Sequence, residues 1–180
     1  MLFEFFYLSL ASFLFGLTQK IADDHHDENI YLFKHSDIVF GIIWGAFGFF
    51  LISYSPILQA AYLGPLLYWF YRGKIDCKQH AIAAVLMILG ILYSFEYLSS
   101  SLLPSLWIFL GYAIFDAIKK HTLKHRWFFK RHIHFHLVRL FYAFLIGSLY
   151  GYSPLVFNLL GIYVGGKFDK KVEKKLSKSI

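Results

Sequence analysis

Charge is what this chain has least of. Only 16% of its 180 residues are Asp, Glu, Lys or Arg, where a soluble domain carries about 25%. With 58% apolar residues and a mean hydropathy of +0.53, the shortfall excludes an ordinary water-soluble domain and makes lipid the expected solvent. Cysteine is nearly missing: Cys77 stands alone, so no intrachain disulfide can form. The apolar stretches are continuous rather than alternating, which excludes barrel strands and leaves helices. Met1–Leu17 lacks the basic start of a secretory signal and carries Glu4 instead, so it reads as a first span with a translocated N-terminus. There is too little chain for a second domain.

What is present is a series of short apolar runs. They cover Leu2–Thr18, Ile38–Ser53, Ile57–Tyr71, Ala81–Tyr97, Leu102–Ile118, Leu137–Gly151 and Pro154–Gly166. At about 1.5 Å per residue each covers roughly 20–25 Å of a ~30 Å hydrocarbon core, with flanking aromatic and Lys side chains extending the reach. The fold expected is therefore an all-α transmembrane bundle of about seven spans, occupying residues 1–180 and ending in a basic tail over 167–180. Ile57–Tyr71, which holds Gly64 and Pro65, and the last run, which ends in Gly165 and Gly166, are the two whose full crossing is least secure. Gly41, Gly45 and Gly48 form a small-residue stripe on the second run, the signature of close helix packing.

Parsed this way, all 18 Lys and Arg residues and all nine His fall on one side. Lys20 and Lys34 lie in segment 19–37; Arg72, Lys74 and Lys78 in 72–80; seven basic residues in 119–139; and six in the tail. The positive-inside rule makes that side cytoplasmic, with the N-terminus out and the C-terminus in, in a multi-pass protein of the cell membrane. Membrane lipids with anionic headgroups are the expected partners of this basic face, and the net charge of +7 needs no nucleic acid to explain it.

Ser53-Tyr54-Ser55-Pro56 and Gly151-Tyr152-Ser153-Pro154 recur 98 residues apart, with Trp44 and Tyr142 in register and Lys74-Ile75-Asp76 echoed by Lys167-Phe168-Asp169. Helices 1–3 then repeat as helices 5–7 around a linking helix 4, a parallel repeat. This 3+1+3 layout resembles the SWEET and PQ-loop transporters. The Pro-Gln signature of that group is missing where the chain reads Leu17-Thr18-Gln19-Lys20 and Phe115-Asp116-Ala117-Ile118. The resemblance implies a small transporter, with Gln59 and Asn158 lining the path.

The charged side carries the candidate chemistry. Four helix ends pair Lys with Asp, as Lys20/Asp23, Lys74/Asp76, Asp116/Lys119 and Lys167/Asp169. Lys there complements the helix dipole, but an Asp at the hydrocarbon boundary is costly unless paired or coordinated. Asp23-Asp24-His25-His26-Asp27 contains D-D-x-x-D, which is similar to the first aspartate-rich motif of prenyl-diphosphate enzymes. On a helix Asp23 and Asp27 stack one turn apart, suiting Mg²⁺ or Mn²⁺ shared with a diphosphate. Asp76 and His80 share an i, i+4 spacing that serves metal ligands or an acid–base pair. The segment 119–136 carries His121, His125, His132, His134 and His136 among Lys and Arg, reading as an interfacial basic arm, a phosphate clamp or a metal site. Its His121/His125 pair resembles one box of the membrane di-iron desaturases, but their H-x-x-H-H boxes are absent.

Three functional expectations follow. The first is a metal-dependent transferase or hydrolase acting on a lipid phosphate or prenyl diphosphate. It takes Asp76 and His80 as catalytic, Asp23, Asp24, Asp27 and Asp116 as metal ligands, and Lys20, Lys74, Arg126 and Arg131 as phosphate ligands. The second is the transporter. The third is a noncatalytic subunit of a membrane complex that docks through 119–136.

Overall fold

A computed structural model describes residues 2–27, 31–122 and 155–176 of the chain. Among these residues there are six α-helices and no strand. They are α1 (Leu2–Asp27), α2 (Ser36–Tyr54), α3 (Pro56–Tyr71), α4 (Lys78–Tyr93), α5 (Leu98–Thr122) and α6 (Leu155–Leu176), with a 3₁₀ turn at Phe95–Tyr97. Within α1, α2 and the 3₁₀–α5 stretch, Phe3–His25, Ser36–Tyr54 and Phe95–Ile114 are long and apolar enough to cross a membrane, and α4 is a shorter apolar helix. The expected span Leu137–Gly151 and the basic arm beyond Thr122 lie outside the described residues.

Helix ends follow local chemistry rather than hydropathy. α1 runs about two and a half turns past the end of its apolar run, because Ile21, Ala22, Asp24 and His25 are buried against the bundle. The D-D-x-x-D stretch thus forms the last turns of a helix. Between α2 and α3 a single residue, Ser55, is extended, and its hydroxyl accepts from the Leu58 amide with Pro56 at the first helical position. α3 passes through Pro65 without a break. α4 stops at Tyr93, earlier than its apolar run suggests, where the Ser94 hydroxyl donates to the Gly90 carbonyl and accepts from Gln59.

Neighbouring helices are α1 with α6 and α2, α2 with α4 and α3, and α3 with α5. Tyr54 at the end of α2 donates to Glu4 at the start of α1 (2.6 Å), so this pair is antiparallel. α6 runs parallel to α1, since Phe157 meets Phe5 and Gly165 lies against Lys20. α5 runs parallel to α3, since Ser101 bonds Gln59 and Arg72 pairs with Asp116.

The glycine stripe of α2 faces α4. A Cβ on Gly41 would stand 2.8 Å from the Gln79 Cα, and one on Gly45 2.9 Å from the Ala83 Cα. The core is aromatic at its centre. Phe15 meets Tyr62 and Trp44 edge-on, and Trp44 in turn meets Trp69 at 5.2 Å. Around it Leu8, Leu51, Ile52, Leu58, Leu66 and Met87 are buried. The outer surface is itself apolar, with Leu10, Ile42, Val85, Leu89, Leu92, Leu103 and Trp107 exposed, the pattern of helices solvated by hydrocarbon rather than water.

Candidate functional site

The helix directions gather Lys20, Asp23, Asp24 and His25 (α1), Ser36 (α2), Arg72 (α3), His80 (α4) and Asp116 (α5) at one end of the bundle. Between α3 and α4 the chain reverses in a short turn. Arg72, Gly73 and Lys74 donate their amides to Tyr68, Phe70 and Trp69, and Gly73 takes φ 62°, a conformation that suits glycine. The turn delivers the Lys74 carbonyl and the Asp76 carboxylate to the mouth of α4. Cys77, extended, caps that helix, and His80 falls in its first turn.

His80 is the point of convergence. Its Nδ1 lies 2.7 Å from the Lys74 carbonyl oxygen and 3.3 Å from Asp76 Oδ1, and its Nε2 lies 2.8 Å from Asp23 Oδ1. The ring sits edge-on to Trp44 at 5.6 Å. Next to it, Gln79 donates to the Ala22 carbonyl (3.2 Å), tying α4 to α1, while Gly41 admits α4 against α2. Burial pushes the His80 imidazole toward neutrality, but the Asp23 hydrogen bond and charge, the Lys74 carbonyl and Asp76 outweigh it, so its pKa is raised above 6.5. Protonated, the ring donates from Nδ1 to Lys74 and from Nε2 to Asp23. Asp76 Oδ, Cys77 Sγ and a ring nitrogen of His80 all lie within 4.8 Å of one another.

The other acids at this end have different partners. Asp24, buried, is paired with Lys20 one turn earlier. Successive helical residues point roughly 100° apart, so Asp23 and Asp24 diverge, one to His80 and one to Lys20. Asp116 pairs with Arg72 across α3 and α5, beside an open pocket of about 430 Å³ lined by Tyr71, Ala113 and Ala117. Lys74 is exposed. Of the ten expected site residues, the structure brings together Asp23, Asp76 and His80. The Asp27 side chain, Arg126 and Arg131 lie outside the described part.

Three residues matter here that sequence reasoning passed over. His25 is fully buried, with Nδ1 2.6 Å from the Ile21 carbonyl and Nε2 2.7 Å from the Ser36 hydroxyl, joining the end of α1 to the start of α2. Arg72, read only as a loop charge, neutralises Asp116. Gln79 makes the α4–α1 tie. None has a local sequence signal for its cross-helix tie, since Ser36, Asp116 and Ala22 each belong to another helix.

No protein-family model, curated protein or solved structure matches this chain.

Proposed function

We propose that the protein is a multi-pass protein of the cell membrane whose charged, cytoplasmic end performs metal-assisted acid–base chemistry on the phosphate or diphosphate of a lipid. The observation that carries the reading is the Asp23–His80–Asp76 convergence, built from two distant parts of the chain at the polar end of an apolar bundle. A histidine held between two carboxylates is a positioned proton donor and acceptor. In this reading Asp76 and His80 move the proton. Asp23 and Asp27 offer oxygens to Mg²⁺ or Mn²⁺ shared with the substrate, and Lys74, Arg126 and Arg131 receive phosphate oxygens. Asp24 and Asp116, already neutralised by Lys20 and Arg72, act in placing those cations rather than in holding the metal.

Seven crossings accord with the helix directions. α5 and α6 both run toward the charged end, which supports an odd number of further crossings as the sequence reading has it. The transport reading is less supported. Gln59, which it placed on the path, has its amide committed to the Ser94 carbonyl (3.1 Å), the Ser94 hydroxyl (3.0 Å) and the Ser101 hydroxyl (2.5 Å).

The test is release of phosphate or pyrophosphate from lipid phosphates and prenyl diphosphates by the detergent-purified protein, with and without Mg²⁺ or Mn²⁺. The expected result is metal-dependent release, lowered about 10²–10⁴-fold in His80→Gln, the range general acid–base catalysis supplies. Absence of release from both lipid classes with either metal, or release that survives His80→Gln, overturns the proposal.

A further inference from the structure

Around the first turn of α4, four groups with lone pairs converge. The Lys74 carbonyl lies 2.7 Å from His80 Nδ1, Asp76 Oδ1 lies 3.3 Å from the same nitrogen, and Cys77 Sγ shares the cluster with Asp76 and His80. On the far side of the ring Asp23 accepts from Nε2–H at 2.8 Å. On the near side Nδ1 faces the Lys74 carbonyl and the Asp76 carboxylate beside Cys77, donating to them when protonated and offering its lone pair once that proton is lost.

We infer that Asp76, Cys77 and His80 form a binding site for a thiophilic divalent cation of the Zn²⁺ class, with solvent completing the coordination. The donor set argues for the class. Sulfur and imidazole select Zn²⁺ and its neighbours over Mg²⁺ or Ca²⁺, which take oxygen. The geometry argues for the fit. With bonds of about 2.0 Å to nitrogen and oxygen and about 2.3 Å to sulfur, tetrahedral ligand atoms stand roughly 3.3–3.7 Å apart. The three side-chain ligand atoms are within 4.8 Å already, and Asp76 Oδ1 is 3.3 Å from Nδ1. Asp76 is half exposed and precedes the helix, so its side chain can close the remaining distance without moving α4. Cys77 at the helix N-terminus sits where the dipole favours thiolate. Asp23 supplies the carboxylate behind the histidine that recurs in metal sites, orienting the ring and raising its basicity. Zn²⁺ entry displaces the Nδ1 proton and the thiol proton to solvent and makes His80 a ligand. The inference stands apart from the lipid-phosphate reading and does not require it, because with Zn²⁺ bound Asp76 and His80 serve as ligands and move no proton.

The experiment is titration of the metal-stripped, detergent-solubilised full chain with Co²⁺ as a spectroscopic substitute for Zn²⁺. The expected result is one Co²⁺ with a near-ultraviolet thiolate-to-metal band, chased by Zn²⁺ and unmoved by excess Mg²⁺. Cys77→Ser should abolish that band, and Asp76→Asn should weaken binding at least tenfold. Asp23→Asn should weaken it about 10–100-fold while keeping the band, as loss of a partner behind a ligand does. Bound Zn²⁺ should also shield Cys77 from maleimide. Cys77 and Asp76 lie outside the helix body, so their variants report even if His80→Gln proves unstable. Absence of a thiolate band, a band that survives Cys77→Ser, or Co²⁺ held only by the other histidines without sulfur overturns the inference.

Discussion

Replacing Gly41 by alanine tests the link between helix packing and the site. In an open helical position that change stabilises by about 1 kcal/mol, since alanine is the better helix former. Here the new methyl would lie 2.8 Å from the Gln79 Cα and 2.9 Å from the Gln79 carbonyl oxygen, where ordinary contact begins at 3.4 Å. The obstacle is backbone, so no rotamer relieves it, and the first turn of α4 has to retreat by about 0.6 Å from 2.8 to 3.4 Å. Overpacking of this kind costs about 1–3 kcal/mol, which exceeds the propensity gain and leaves a net loss of about 1 kcal/mol.

His80 is the next residue and moves with Gln79. If the whole retreat falls on its 2.8 Å bond to Asp23, the distance reaches about 3.4 Å, at the edge of a hydrogen bond. Two measurements follow from one substitution. The melting temperature in detergent should fall by about 2–4 °C per kcal/mol lost, and the His80 imidazole, followed by NMR, should titrate closer to the 6.5 of an unperturbed ring. Ala46→Gly, on the exposed face of the same helix, should lower the melting temperature by propensity alone and leave His80 unchanged. A Gly41→Ala protein that melts higher than the parent, with His80 unmoved, would refute the close approach of α2 and α4.

Three further outcomes are expected. Lys20→Met should destabilise by about 3–5 kcal/mol because it strands the buried Asp24 carboxylate, and Lys20→Met with Asp24→Asn should recover most of the loss, read by thermal unfolding. His80 has a raised folded-state pKa, so its stabilising contribution is complete below the unfolded value near 6.5. It should fade as pH rises through the folded value, and His80→Gln should flatten that part of a melting-temperature profile between pH 5 and 9. Gln59→Leu should cost about 1–3 kcal/mol by leaving the Ser94 and Ser101 groups without their buried partner, and adding Ser101→Ala should return part of it in a double-mutant cycle.

How much of this was legible beforehand depended on whether the signal was local. The apolar runs announced helices, and the stripe Gly41, Gly45, Gly48 announced a close interface that the structure assigns to α4. The Asp76/His80 spacing anticipated a real contact, although it arises because Asp76 precedes a capped helix start rather than from a shared helical face. The end of α1 lies beyond its apolar run because hydropathy marks where lipid stops, while a helix continues for as long as neighbours cover one of its faces. Among the described residues, the Lys–Asp pairing expected at the helix ends is found within one helix for Lys20 with Asp24, one residue beyond the Asp23 expected. Asp23 and Asp116 find partners 57 and 44 positions away, and no spacing rule reaches that far. The same is true of α6, whose Gly161 and Gly165 seat it against Phe13, Leu17 and Lys20 of α1.

The arrangement also explains why the chemistry should centre on His80 rather than on the acidic run that first draws the eye. A carboxylate at the edge of an apolar bundle needs a positive partner. For Asp24 and Asp116 that partner is Lys or Arg, which does not change charge in the physiological range, so those pairs fasten helix ends without moving a proton. For Asp23 and Asp76 the partner is an imidazole, whose proton can leave. When it leaves, the charge changes at the point where two carboxylates and the Lys74 carbonyl meet the ring, in a turn packed against Gly41, Trp44 and Ala22. In the reading proposed above, that makes His80, rather than the acidic run, the group able to take up and release a proton at this end of the bundle.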